Sequence, residues 1–172
     1  MRVSIRRLLL VASLLTLPHA VLAASASYQP LVDDLASKAP NLDRQVLTHA
    51  VAAMQCAVNN GAVAAQRLAV IDFSLPSSER RLWIFDLQRG RLLLEDFVAH
   101  GQKSGDNQAT RFSNVVGSHQ SSIGLFRTAE SYSGKHGYSL RMDGLEPGVN
   151  DRARERAIVI HPADYVNPAW IA

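Results

Sequence analysis

One cysteine, Cys56, occurs in 172 residues, so no disulfide can form within the chain to stand in for a buried core. A membrane-crossing run is missing as well. The apolar segment from Leu8 to Leu17 is well short of the roughly 20 residues that crossing a bilayer takes. A surplus of one charge sign is also missing beyond the first few residues. Arg2, Arg6 and Arg7 sit at the extreme start, and without them 15 Lys+Arg face 15 Asp+Glu. A chain with no net basic field has little to attract a polyanion, so nucleic acid is not an expected partner.

What is present at the start is an export pattern: those three arginines, the apolar segment, and small residues around Val21-Leu22-Ala23. We expect a signal peptide over residues 1–23, cleaved after Ala23, and hence a periplasmic protein with no integral membrane anchor. The remaining length suits one domain with a real core. Cys56 then reads as a buried, inert thiol.

From Tyr28 to Ala39 the pattern is helical. Pro40 interrupts it, and Asn41 is the expected N-cap of a second helix in which Leu42, Val46, Leu47, Ala50, Val51, Met54 and Val58 recur at helical spacing up to Gly61. Strand patterns follow at Leu68–Phe73, Arg81–Leu87 and Arg91–Val98, the last two reading as a hairpin around Gln88-Arg89-Gly90. Leu82-Trp83-Ile84-Phe85 is apolar on both faces, which fits a sandwich or a sheet backed by the helices. Residues 101–117 read as a long surface loop, and 131–137 as a second, flexible polar loop between strands at Ile123–Arg127 and Ser139–Met142. Asn150 caps a helical turn through Arg156. Ala157–His161 reads as a buried strand that delivers His161 to its end, with Pro162 favouring extended geometry there.

An imidazole at a strand end invites three chemistries. A metal site would draw on His161 and Asp164, with His119 and His136 converging through the fold, but no histidine pair has the i, i+4 spacing of a zinc-protease helix. A serine nucleophile would come from Ser118, Ser121 or Ser122, none of which sits in a Gly-x-Ser-x-Gly elbow. Cys56 could serve His161, yet it lies inside a helix, away from the N-terminal dipole that lowers a thiol pKa. Its nearest helical histidine, His49, is seven residues away, about 10 Å. Arg152, Arg154 and Arg156 read most simply as a solvated turn. Arg141 is the better dock for a carboxylate.

Three strings carry a family resemblance. They are Gly-Ser-His-Gln-Ser-Ser-Ile-Gly from Gly117, Tyr-Ser-Gly-Lys-His-Gly-Tyr-Ser-Leu-Arg-Met-Asp-Gly-Leu-Glu-Pro-Gly-Val-Asn from Tyr132, and Ala-Ile-Val-Ile-His-Pro-Ala-Asp-Tyr-Val from Ala157. With Ile-Asp-Phe-Ser-Leu-Pro-Ser and Arg-Leu-Trp-Ile-Phe-Asp-Leu upstream, the chain from Leu68 to Val166 resembles the murein L,D-transpeptidase catalytic domain family of exported bacterial proteins. The resemblance implies an α+β, mainly β fold: a β-sandwich catalytic domain over residues 67–172, its last part missing, preceded by a helical segment over 24–66. It implies action on the stem peptides of peptidoglycan. A cysteine thiolate attacks the carbonyl of a diaminopimelate residue and expels D-alanine, and no metal or other cofactor takes part. His161 matches the histidine that activates the thiol, and Arg141, His136, Tyr132 and His119 are our candidate substrate-binding residues.

The family's cysteine belongs to a Gly-Cys string downstream of the Ile-His strand, which these 172 residues do not include. The polypeptide as written is therefore expected to lack transpeptidase activity. A non-catalytic murein-binding protein and a zinc-dependent amidase or peptidase are the alternatives.

Overall fold

Asp43, two residues beyond the expected Asn41, caps the second helix: its Oδ1 accepts from the Gln45 and Val46 N–H groups at 2.7 and 3.0 Å. The structure, a computed structural model, describes residues 19–167 and 169. The expected leader, 1–23, lies outside the described residues apart from 19–23, which open the first helix. The elements run α1 (His19–Lys38), α2 (Arg44–Asn59), β1 (Arg67–Ile71), β2 (Leu82–Asp86), β3 (Arg91–Asp96), β4 (Phe126–Gly134), β5 (Gly137–Gly144) and β6 (Val159–Ile160). The strands form two antiparallel three-stranded sheets, ordered β1-β2-β3 and β4-β5-β6. This is the mainly β, α+β architecture expected.

Gly61 ends α2 as anticipated. Its φ of 92° is open to glycine, and the turn closes through Gly61 N–H to Val58 O at 3.0 Å. The helices back the first sheet. Val32, Leu35 and Ala39 of the α1 segment and Leu47 and Val51 of α2 meet Leu68 and Val70 of β1 and Trp83 and Phe85 of β2 in one core. The pairing Leu68 with Phe85 and Val70 with Trp83 sets these side chains on the helix-facing side. Trp83 is fully buried, and its Nε1 has no hydrogen-bond partner among the described residues.

A charged side chain sits at the entrance to β2. Arg81 is fully buried. Its Nε and one Nη donate to Val98 O at 3.0 and 2.8 Å, and the other Nη donates to Leu75 O at 2.8 Å. The His100 Nδ1 lies 2.8 Å from the guanidinium, which in turn lies over the Phe73 ring at 5.1 Å. Burial lowers its pKa while the nearby Asp72 charge opposes the shift. Because Nδ1 accepts from a cation, His100 carries its proton on Nε2, which donates to Gly105 O at 3.1 Å. One arginine thus joins the 72–75 turn, the end of the 91–98 segment and the loop that follows.

The second sheet departs from expectation at three places. Residues 131–137 do not form a flexible loop: Ser131, Tyr132, Ser133 and Gly134 pair with Leu140, Ser139, Tyr138 and Gly137, leaving Lys135 and His136 as the turn of a tight hairpin. Most of these residues are polar and exposed, so no one-sided alternation marks them as strand. The turn expected from Asn150 through Arg156 is present as a succession of turns, but Asn150 does not cap it with its side chain, which is buried elsewhere. Its Nδ2 donates to Ile123 O and Leu125 O, each at 3.0 Å, and its Oδ1 accepts from Glu146 N–H at 2.9 Å. The expected buried strand at 157–161 is two residues long, and neither residue is buried. Ala157, at φ 53°, breaks the extension before it, and β6 pairs with β5 alone.

Candidate active site

Side-chain parity in the second sheet decides what stands beside what. Tyr132 pairs with Ser139, and Arg141 pairs with Val159. Directly opposed residues share a face, as do residues two apart on one strand. Tyr132, Ser139, Arg141 and Val159 therefore lie on one face, and the alternation continues through Val159 to His161. Leu140 and Ile160 pair on the opposite face.

His161 is half-buried, with its ring fixed from two sides. Nδ1 lies 2.7 Å from Pro162 O. A carbonyl only accepts, so Nδ1 donates, and in the neutral ring the lone pair is then on Nε2. The His136 ring, at the hairpin turn, stacks on it with centroids 4.6 Å apart and planes 24° from parallel. A neutral imidazole held in this tautomer can take a proton at Nε2 from an approaching acid.

Arg141 is held by two neighbours. Its guanidinium lies 4.5 Å over the Tyr132 ring, and its Nε is 3.2 Å from Glu130 Oε1. Glu130 is brought there by a bulge: the β4–β5 register shifts between Thr128 and Ser131, so Ala129 and Glu130 together oppose Arg141. Arg154 grips Glu130 with two N–H groups at 2.7 and 3.1 Å and reaches Asp143 Oδ1 at 2.6 Å, and Arg127 closes on Asp143 Oδ2 at 3.1 Å. The Arg154 hydrogen bond is the main cause holding Glu130 well below its ordinary 4.5, at about 2, and it also lowers Asp143.

This network predicts an acid dependence. Unfolded Glu130 takes up a proton near 4.5, whereas the folded group holds its charge down to about 2. The contribution to stability is complete above the upper value and falls away as the pH drops toward the lower one. Arg154→Gln should therefore lower the urea midpoint at pH 7, and the gap to the unaltered protein should shrink to a small part of that by pH 2.5. A gap of the same size at both pH values would contradict this.

Of the five residues expected from sequence, the fold places four in the second sheet and its hairpin turn as two contacting pairs, His161 with His136 and Arg141 with Tyr132. His119 is not among them. It lies at φ 56° in an exposed loop whose backbone bonds to Lys103, and among the described residues no hydrogen bond or ring contact joins its side chain to the other four. Glu130 and Arg154 were not singled out as site residues from sequence, although an acid and an arginine 24 positions apart leave no local spacing signal.

The alternative nucleophiles are employed elsewhere. Ser122 Oγ donates to Ser113 O at 2.9 Å, and Ser121 Oγ accepts from Gly101 N–H at 2.8 Å. Arg156, expected to be solvated, donates to Ser113 O, Ser122 Oγ, Ser118 Oγ and Gln120 O. Cys56 is exposed rather than buried, on α2, with Asn60 Nδ2 at 3.5 Å from its sulfur. Among the described residues no group of three or more His, Cys, Asp or Glu is placed to hold a metal ion. A groove of about 400 Å³ lies along Ser77, Ser78, Val98, Asp106, Asn107 and Tyr165, and the His161 cluster does not line it.

A family model described as L,D-transpeptidase catalytic domain matches residues 38–172. No curated protein and no solved structure matches the chain.

Proposed function

The chain belongs to the L,D-transpeptidase catalytic domain family, and from that premise we propose that it is an exported, periplasmic murein protein whose His161 is the family's thiol-activating base. In that chemistry Nε2 takes the thiol proton, and the thiolate attacks the diaminopimelate carbonyl, whose oxygen is stabilised by backbone N–H donors. The tetrahedral adduct collapses to a thioester as the imidazolium returns the proton to the departing D-alanine amine. An amine or water then displaces the sulfur.

The observation that carries the reading is the contact between His161 Nδ1 and Pro162 O. Pro162 O occupies Nδ1 and leaves Nε2 as a base on the face that bears Arg141 and Tyr132. Residues 1–172 hold one thiol, on α2, which favours a second reading for this polypeptide by itself: a module that binds murein without turning it over.

Co-sedimentation with purified peptidoglycan sacculi tests what both readings share. The protein should pellet well above a non-binding control of similar size, and Arg141→Ala should lower the pelleted fraction several-fold while leaving the melting temperature near that of the unaltered protein. Pelleting no greater than the control would remove both readings.

A further inference from the structure

We infer that Arg141 is a specificity residue: it receives the second carboxylate of the acyl-donor residue, at the far end of that residue's side chain, and so selects diaminopimelate over an amino acid whose side chain ends in an amine alone. The inference rests on the function proposed above and adds to it which part of the substrate is read, and by what.

The Arg141 guanidinium is built to hold one orientation. Its flat side covers Tyr132 and its Nε faces Glu130. Glu130 is itself fixed by the two-pronged grip of Arg154. Among the described residues no hydrogen bond engages the Arg141 Nη groups. They remain as a planar fork, the geometry that matches a carboxylate with two parallel bonds. Glu130, Tyr132 and Arg154 are positioning residues, since each acts by fixing Arg141. The bulge opposite Arg141 serves the same end, because an unbulged β4 would not set Ala129 and Glu130 together against it.

Reach selects which carboxylate can occupy the fork. Arg141 pairs with Val159, and His161 is two residues further along, so the two side chains rise from one face about 7 Å apart in the strand direction. In diaminopimelate the reacting carbonyl carbon and the distal carboxylate carbon are separated by six covalent bonds, about 7 Å in the extended form. The carboxylate of the departing D-alanine lies only three bonds from the same carbon, about half that distance. A donor with its carbonyl at His161 therefore brings the distal carboxylate, and not that of D-alanine, to Arg141.

The test is a binding titration on residues 1–172, by calorimetry or by NMR shifts, with three tetrapeptides: one containing meso-diaminopimelate, one with L-lysine in its place, and one with the distal carboxylate converted to the amide. The first should bind about ten-fold more tightly than the other two, the scale of one charge-assisted pair. Arg141→Gln should bring it down to their level, and Arg141→Lys should recover only part of the difference. Glu130→Gln should give a smaller loss of the same selectivity. Equal binding of all three peptides by the unaltered protein would overturn the inference while leaving the proposed function standing, and that comparison requires no variant to fold. Selectivity that persists in Arg141→Gln would overturn the assignment to Arg141. Failure of every peptide to bind would overturn the inference together with the reading it rests on.

Discussion

Residues 1–172 should release no D-alanine from a murein tetrapeptide, with a rate at the level of the uncatalysed control. The reason is the position of the one thiol. Acyl transfer of the family's kind needs a thiol within hydrogen-bond reach of the base, and Cys56 is an exposed residue of α2, a helix that packs with α1 against the first sheet. His161 follows β6 in the second sheet. Loss of one member of a nucleophile and base pair costs on the order of 10⁶ in turnover, which places the rate below detection. Chromatographic detection of free D-alanine, with intact-mass measurement for an acyl adduct on sulfur, checks it. Turnover above the control that vanishes in Cys56→Ser would sink the prediction and would require α2 to approach His161.

Replacing Arg81 by Ala should destabilise the fold by about 3–5 kcal/mol, since it strands several buried acceptors that a charged donor satisfied, each costing about 1–3 kcal/mol. That is a large part of the roughly 5–15 kcal/mol that keeps a domain folded. Truncation leaves Val98 O, Leu75 O and His100 Nδ1 without their donor, and it leaves buried Asp72 without the cation whose field it feels. Lysine should restore little, because a point charge cannot serve acceptors spread around a planar fork. Urea denaturation should show the midpoint falling sharply, against a change within about 1 kcal/mol for the neighbouring exposed Arg80→Ala. Equal effects at the two positions would refute the central role given to Arg81.

The first half of the fold was legible because its chemistry is local. Strands Arg67–Ile71, Leu82–Asp86 and Arg91–Asp96 fall where β-branched and aromatic residues cluster between turn residues. The helix cap was misplaced because Asn41 and Asp43 are both good caps, and only the bond from Asp43 to Gln45 and Val46 N–H decides between them. The Cys56 error could have been avoided. Leu47 and Val51 mark the buried stripe of α2, and a residue five positions after Val51 lies about 140° around the helix from it.

The second sheet was harder for a physical reason. Ser131, Tyr132 and Ser133 gain their order from partners on β5, not from burying an apolar face, so the local sequence resembles a loop. Arg141, His136, Tyr132 and His161 could be named from sequence because they lie in strings that resemble the family's. Glu130, Arg154 and the bulge depend on register, which spacing along the chain does not reveal.

Arg156 stands five residues before His161 and holds four oxygens of the 113–122 segment with one side chain. That makes it a tether between a serine-rich bend and the segment leading into β6. Cutting that tether would release four acceptors of the bend at once from the chain that enters β6.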